Sequence, residues 1–462
     1  MRTGDSRLAT FKRRMHAHHD ACAIVATLEG ITTAPLSMIE HHIFVFRHCV
    51  RSTPLTVNLY EGKGKEPASS YFLEKLPPWN VPDEWCTEKG IKILKRTGAW
   101  LAQNYFDNKT STVRIISDTA QRDVDSALAL SEGLRQAGVV VSNIELNPDL
   151  FHPTRKGSLC PLVNKSSPAP QVIDRLGRVP PPTSLQDALK LMKSLVHLTP
   201  SFSNASSSFD LNVNKMHLKG PVNLVKLFSQ MLMYSRASNL TFVPEATNSQ
   251  ISMLVEWIAW KRTVENTFNS KSAARGAVLM NCVFNLLRVE QKPSVTIIFG
   301  HDSSLNSLQT ALDIEWSLPF YGAHSPTPPG SGMHLQQVSD GSLNVELVYP
   351  TYFAENGTMN TTGILERQPV LSFESIPALK YHVVEQLAQY DGAIQCFEAT
   401  QPVDICSSGG DYYWILGLLL VLLPLLWFLR YKKGWRSHQQ MYTYTAVDLE
   451  LPELIPPNHS YQ

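Results

Sequence analysis

The chain has 462 residues, of which 43% are hydrophobic, so it is long enough for roughly two or three domains with a sizeable buried core. Its formal net charge of +1 gives no reason to expect a nucleic-acid partner. Seven cysteines are too few for a disulfide scaffold, although they are compatible with a secreted enzyme.

The N-terminal residues 1–38 are predicted to form an arm outside the core. The first twenty residues are basic and rich in histidine, which favours a solvated, disordered segment. The apolar residues 21–28 follow this basic stretch and precede the small residues Thr32-Thr33-Ala34. This order is typical of a signal sequence, although this one is short and weak. The alternative is that the start of the chain is misplaced.

A continuous apolar run, Ile43–Phe46, leads directly into Arg47-His48-Cys49-Val50-Arg51. Such a run predicts a strand buried on both faces, and ligands of open α/β sheets bind beyond the carboxyl ends of strands. Arginine suits forked binding of phosphate oxygens, and histidine can form covalent intermediates. The motif therefore indicates an anion site that contains a nucleophile; the alternative is a strand end with surface charges.

Two further apolar runs end in polar motifs of the same kind. Val113–Ile116 is followed by Ser117-Asp118-Thr119-Ala120-Gln121-Arg122. Val295–Phe299 is followed by Gly300-His301-Asp302. We expect these segments to lie beside the first motif at one edge of the sheet.

The three motifs, in this order and at these separations, resemble the histidine acid phosphatases, a branch of the histidine phosphatase superfamily that includes phytases and lysosomal acid phosphatase. The first resembles the family's RHGxRxP signature, the second the segment with the central phosphate-binding arginine, and the third the His-Asp motif. The resemblance covers roughly residues 40–406 and is strongest to the membrane-anchored and lysosomal acid phosphatases.

The resemblance implies an α/β fold with a phosphoglycerate-mutase-like core, whose central, mostly parallel sheet is flanked by helices. Residues 39–154 and 250–406 would form the core, and residues 155–249 a mainly helical cap that sets substrate size. Apolar spacing predicts cap helices over 184–198 and 222–238, and core helices over 251–268 and 273–287.

The resemblance also implies the roles of the site residues in hydrolysis of phosphomonoesters. His48 would attack phosphorus and become a phosphohistidine, and Asp302 would donate a proton to the leaving oxygen. The groups around the phosphoryl oxygens would be Arg47, Arg51, Arg122 and His301. No metal or other cofactor is expected, because arginine and histidine supply the positive charge.

Two departures from the family pattern leave a second interpretation open. Cys49 stands in place of the family glycine, and Thr53 in place of the proline. The chain would then be a weak or inactive pseudophosphatase that acts as a membrane receptor or adhesion protein. A phosphotransferase or mutase of the wider superfamily is disfavoured by the predicted membrane anchor.

The resemblance further implies a disulfide between Cys396 and Cys406, and the other pairings stay open.

Residues 412–431 are predicted to span a membrane, after a stalk at 407–411, because 412–429 is apolar and uncharged. Arg430 and Lys432 follow, which indicates a type I topology with a cytosolic tail at 432–462. Six sequons precede the span and support lumenal passage, with acceptors Asn108, Asn164, Asn204, Asn239, Asn356 and Asn360.

The tail carries two patterns that resemble binding sites for sorting adaptors. Tyr444–Val447 is similar to an endocytic tyrosine signal, and Glu450–Ile455 to an acidic dileucine signal. Together they predict a protein of endosome and lysosome membranes, or of the plasma membrane.

Overall fold

A seven-stranded sheet lies at the centre of the protein, with its strands in the order β11-β10-β9-β1-β8-β4-β5. The structure is a computed structural model that describes residues 41–54, 56–57, 66–106, 112–154, 160, 180–199, 208–212, 215–289, 294–352 and 364–400. The strands are β1 His41–Arg47, β2 Thr56–Val57, β3 Glu66–Pro67, β4 Thr112–Ser117, β5 Val140–Leu146, β6 Ser208–Asn212, β7 Lys215–Lys219, β8 Ser294–Gly300, β9 Gly332–Gln337, β10 Leu343–Pro350 and β11 Leu365–Phe373.

The sheet combines a parallel block with an antiparallel one. Strands β1, β8, β4 and β5 are parallel neighbours, and β9, β10 and β11 continue the sheet from β1 in antiparallel fashion. The mixed α/β fold with a central sheet was thus predicted correctly, but the mostly parallel character was not, since three of the six strand pairs are antiparallel. Because all three motifs follow strands of the parallel block, the topology carries them to the same edge of the sheet.

The strand register sets how closely the motifs meet. Arg47, the last residue of β1, pairs with Gly300, the last residue of β8. Ser117, the last residue of β4, pairs with Phe299 of β8. His48, Asp118 and His301 therefore leave three neighbouring strands at one level.

Strand β1 is buried on both faces, as its apolar run predicts. Ile43 and Val45 pack into one hydrophobic cluster, and Phe44 and Phe46 into another on the opposite face. All four side chains are at most 2% exposed. The nucleophile motif therefore starts from the most enclosed part of the fold.

Helices cover the sheet on both faces. Leu101 of α1 and Leu130 of α2 pack in the cluster of Phe44, whereas α5, α6 and α7 pack in the cluster of Val45. The helices are α1 Glu88–Tyr105, α2 Gln121–Gln136, α3 Pro148–Phe151, α4 Leu185–Leu195, α5 Pro221–Ala237, α6 Asn248–Asn266, α7 Ser270–Val289, α8 Asp302–Leu312, α9 Ile376–Leu387 and α10 Ala393–Ala399, with a 3₁₀ turn at Ala68–Ser70.

The start of α1 is fixed against the loop 48–54, which follows β1 and carries the predicted nucleophile (the nucleophile loop). The Thr87 side chain accepts a hydrogen bond from the Gly90 amide and caps the helix. A Cβ atom at Gly90 would lie 2.3 Å from the Val50 carbonyl oxygen, so the close approach requires glycine. The loop and the helix therefore pack as one unit.

The four helices predicted from apolar spacing are present as α4, α5, α6 and α7. Between α4 and α5 the chain forms a hairpin, β6–β7, that the sequence analysis did not predict. Most of the serine-rich 201–208 segment lies outside the described residues. The division into core and cap stays a prediction.

Two disulfides join described cysteines, and neither is the predicted one. Cys49 bonds to Cys86, and Cys160 bonds to Cys396. The predicted pairing of Cys396 with Cys406 is therefore wrong. Sequence proximity misled that prediction: the fold places Cys160, 236 residues away, with its Cα atom 5.3 Å from that of Cys396.

Within the described ranges, no helix has both the length and the apolar character that a membrane span needs. The predicted span 412–431, the stalk, the tail signals, Cys406 and the arm 1–38 all lie outside the described residues. So do five of the six sequon asparagines; the sixth, Asn239, is exposed just after α5. These predictions stay untested.

Candidate active site

His48 is held in one orientation by the strand ends around it. Its backbone amide donates to the Gly300 carbonyl at 3.0 Å, and its carbonyl accepts from the Gly330 amide at 2.9 Å. Its ring Nδ1 lies 3.0 Å from the Cys49 carbonyl oxygen. Because a carbonyl oxygen only accepts, Nδ1 carries the hydrogen and Nε2 keeps a free lone pair.

The surroundings of His48 keep its ring neutral. Burial is the main cause that lowers its pKa well below the ordinary value, and the charges of Arg47, Arg51 and Arg122 lower it further. A neutral imidazole with an available Nε2 is the form that can act as a nucleophile. The site therefore preserves this form at acidic pH.

Arg47 lies fully buried beside the nucleophile. Its Nη2 atom donates to the Tyr234 hydroxyl at 2.6 Å and lies 3.5 Å from Asp302 Oδ2, while Nη1 donates to the Thr327 carbonyl. These contacts fix the plane of the guanidinium.

Arg51 and Arg122 share one carboxylate, that of Glu84. Arg51 Nη2 lies 3.7 Å from Glu84 Oε1, and Arg122 Nη1 lies 3.3 Å from Glu84 Oε2. The Arg51 guanidinium also lies over the Tyr234 ring, 5.6 Å from its centroid. Glu84 thus orients both Arg51 and Arg122, which are predicted to bind phosphate.

Three arginines each keep a buried Nε atom that has no hydrogen-bond partner among the described residues: Arg47, Arg51 and Arg122. Buried donors are nearly always satisfied, so unpaired ones call for a ligand or water. Three such donors around one neutral imidazole form a cradle for an anion.

Asp302 lies at the first position of α8, between two buried arginines. Its Oδ2 atom is 2.7 Å from Arg262 Nη2 and 3.5 Å from Arg47 Nη2. Burial acts to raise its pKa, but the charges of Arg262 and Arg47 outweigh burial and hold the pKa well below the ordinary value. Without a ligand, Asp302 is therefore ionised.

The His301 ring lies between two buried carboxyl groups. Its Nε2 is 3.1 Å from Asp118 Oδ2, and its Nδ1 is 3.2 Å from Asp123 Oδ2. Burial raises the pKa of Asp123 to about 7, despite the opposing charges of His301 and Arg122. Burial therefore favours the protonated form of the Asp123 carboxyl group beside the His301 ring.

His152 completes this group, because its Nε2 lies 2.9 Å from the same Asp118 oxygen. Burial acts to raise the pKa of Asp118, but hydrogen bonds from His152, His301 and the Thr119 amide outweigh burial and lower it. Asp118, His152 and His301 offer three ligand atoms within 4.8 Å of one another, a spacing that a cation can use. Hydrogen bonding already accounts for the arrangement, so the absence of a metal stays a prediction.

The structure brings the predicted site residues to one edge of the sheet. Besides burial, the pKa of His48 is lowered by interactions with four of them, Arg47, Arg51, Arg122 and His301. Arg47 also contacts Asp302. Sequence reasoning missed the residues that orient them: Glu84, Asp118, Asp123, Tyr234 and Arg262. Asp118 belongs to the second motif and Asp123 directly follows it, so the sequence marked their neighbourhood, whereas Tyr234 and Arg262 lie on helices without any local signal.

Comparison with known proteins supports the same assignment. No family model matches the sequence. Phytase AppA of Escherichia coli is 22% identical over 372 residues, which cover 69% of this chain and 82% of that protein. Glucose-1-phosphatase of Salmonella typhimurium is 24% identical over 365 residues, covering 72% and 84%.

Among solved structures, the phytase of Citrobacter braakii superposes with a TM-score of 0.60 at 17% identity. The match covers 76% of this chain and 99% of that one. The superposition shows a shared fold, and at this low identity it shows the fold alone.

The fold and these relatives place the chain among the phosphatase enzymes. More particularly, it fits the histidine acid phosphatase family, as the three motifs predicted. Hydrolysis of phosphomonoesters fits this placement, and the pseudophosphatase interpretation gains no support from the relatives.

Proposed function

We propose that the protein hydrolyses phosphomonoesters in two steps through a phosphohistidine at His48. In the first step, Nε2 of His48 forms a bond to phosphorus, the ester P–O bond breaks, and Asp302 gives a proton to the leaving oxygen. In the second step, water attacks phosphorus, the P–N bond breaks, and Asp302 takes a proton from that water. Inorganic phosphate then leaves.

One observation carries this proposal: the hydrogen bond between His48 Nδ1 and the Cys49 carbonyl, 3.0 Å long. It leaves Nε2 as the reactive atom in the midst of the three arginines. Arg47, Arg51 and Arg122 would stabilise charge on the phosphoryl oxygens in the transition state. His301 would contribute to that stabilisation through its charge.

Acidic conditions suit both His48 as the nucleophile and Asp302 as the proton donor. The lowered pKa of His48 keeps the nucleophile neutral when ordinary histidines are protonated. A phosphate ester at acidic pH carries a proton, and a bound phosphoryl group would offset the positive charge of Arg47 that keeps Asp302 ionised. The substrate can therefore both deliver the proton and raise the pKa of Asp302.

The test compares leaving groups. Asp302→Asn should lower kcat on glycerol 2-phosphate by about 10²- to 10⁴-fold, because an alkoxide leaves poorly without a proton. On 4-nitrophenyl phosphate the loss should be much smaller, because nitrophenolate leaves without help. Steady-state kinetics of the purified protein across acidic pH measures both.

Asp313→Asn provides a control that removes one carboxylate at the other end of α8. It should leave both substrates near wild-type rates. Equal losses on both substrates in Asp302→Asn would contradict the proton-donor role. Absence of any phosphatase activity in the wild type would contradict the proposed function itself.

We also propose that this site faces a lumen or the cell exterior, on a type I membrane protein of endosomes and lysosomes. The apolar segment 412–429, the basic residues after it and the two tail patterns support the proposal. Cell-surface labelling of full-length protein with Tyr444→Ala, Leu454→Ala and Ile455→Ala would test it. Unchanged distribution relative to wild type would contradict a role for the tail signals.

A further inference from the structure

Glu84 places a carboxylate inside the group of arginines assigned to phosphate. Its two oxygens each face a different guanidinium, Oε1 that of Arg51 at 3.7 Å and Oε2 that of Arg122 at 3.3 Å. The Glu84 side chain is 45% exposed, so a bound substrate can reach it. The carboxylate thus lines the open side of the anion cradle.

The backbone at Glu84 adopts a conformation that glutamate rarely takes. Its φ angle is 65°, in the left-handed region that favours glycine and asparagine. Non-glycine residues persist there when surrounding structure holds them, and such residues concentrate at functional sites. The backbone conformation therefore favours a functional role for the Glu84 side chain.

The neighbouring residues hold Glu84 in place. The Trp85 amide donates to the Pro82 carbonyl, and the Trp85 carbonyl accepts from the Ser52 amide at 2.9 Å. Cys86, two residues after Glu84, forms the disulfide with Cys49 and a bridge with Arg51. The carboxylate is therefore fixed relative to the nucleophile loop from the chain on its C-terminal side.

Glu84 also changes how much negative charge the site can accept. Among the side chains in contact around the cradle, four guanidinium charges stand against the carboxylates of Asp302 and Glu84. A second anionic group on the substrate that lies beside Glu84 would meet a like charge on its carboxylate.

We propose that Glu84 is a specificity-determining residue that favours substrates with a single anionic group and disfavours those with a second anion next to the phosphate. The inference rests on the proposed phosphatase function and names the substrate class of that site. Phosphate esters of neutral alcohols and sugars are then preferred over esters that also carry a carboxylate or another phosphate.

The test uses two substrates of nearly equal shape. Glycerol 2-phosphate and 2-phosphoglycerate differ in one group, a hydroxymethyl in the first and a carboxylate in the second. Wild type should prefer glycerol 2-phosphate in kcat/KM, and Glu84→Gln should reduce that preference on the order of tenfold, because a like-charge contact is removed. The change should lie mainly in KM for 2-phosphoglycerate.

Glu88→Gln is the matched control, since it removes the same charge from an exposed residue four positions away whose partner is Lys92. Its preference should stay within about twofold of wild type, because exposed pairs contribute little. If Glu84→Gln folds poorly, Glu84→Gly removes the carboxylate and also suits a positive φ. Melting curves establish folding for each variant.

The outcomes separate this inference from the function on which it rests. If wild type hydrolyses glycerol 2-phosphate and the Glu84 variants keep its preference, the specificity role is wrong while the phosphatase function stands. The specificity role is equally wrong if Glu88→Gln shifts the preference as much as Glu84→Gln does. If wild type hydrolyses neither ester nor 4-nitrophenyl phosphate, the proposed function itself is wrong.

Discussion

At the scale of single residues, the proton on Asp123 connects the site to the stability of the fold. Asp123 is fully buried and faces His301, Arg122, Asp118 and Asp302. Its carboxyl group binds a proton more tightly in the folded protein than in the unfolded chain. The free energy of unfolding therefore includes a contribution that is present at low pH and lost as pH rises toward about 7.

Asp123→Asn should remove this contribution. Between the ordinary pKa of 3.8 and the raised value of about 7, the unfolded state has released the Asp123 proton and the folded state has kept it. Over that window the group lowers the free energy of unfolding by at most about 1.4 kcal/mol per pH unit. The difference between variant and wild type should thus grow in favour of the variant as pH rises, as measured by urea unfolding.

Asp125→Asn controls for the loss of a carboxylate on the same helix, since Asp125 accepts a hydrogen bond from Gln121 away from His301. The lowered pKa of His48 has the opposite effect, because it makes the free energy of unfolding increase as pH rises. Both the wild type and the Asp123→Asn variant contain His48, so this effect cancels when they are compared. A constant difference between Asp123→Asn and wild type from pH 4 to pH 7 would contradict the raised pKa of Asp123.

At the scale of elements, the nucleophile loop and the start of α1 form a covalently closed unit. The Cys49–Cys86 disulfide joins residues 37 apart, and the Thr87 amide donates to the Val50 carbonyl beside it. In the sequence, Cys49 is only a cysteine in the place of a glycine, because one cysteine in a motif gives no sign of its partner. The structure instead gives the cysteine a role in fixing the loop.

Cys49→Ala and Cys86→Ala should each lower the free energy of unfolding by about 2–4 kcal/mol, because either change opens the same loop. The double variant should lose no more than the larger single loss, since both changes remove one bond. Urea unfolding under non-reducing conditions measures the three variants. Losses that add in the double variant would contradict the bond, as would alkylation of both cysteines in unfolded, unreduced wild type.

At the scale of the whole molecule, strand-end motifs were the part of the structure that sequence could predict. A buried strand followed by charged residues has a local signature, so the sequence alone predicts Arg47, His48, Arg122, His301 and Asp302 as site residues. Helix spacing likewise located α4 to α7. These features depend on residues close together in the chain.

Features that depend on distant residues could not be predicted. Arg262 and Tyr234 reach the site from α6 and α5 because helices pack there, and no local pattern marks them. The partner of Cys396 lies 236 residues away. Glu84 belongs to a loop whose left-handed backbone has no signal in a glutamate. The orienting residues of the site therefore emerge only from the fold.

The central claim, that His48 carries the phosphoryl group, is tested most directly by trapping the intermediate. Wild type mixed rapidly with 4-nitrophenyl phosphate, quenched in alkali and digested should yield a phosphorylated peptide that contains His48. His48→Ala should show neither the peptide nor turnover, with a loss of several powers of ten in rate. His197→Ala, at an exposed histidine paired with Glu74, should behave as wild type. Phosphate on another residue, or near-normal turnover by a folded His48→Ala protein, would contradict the claim.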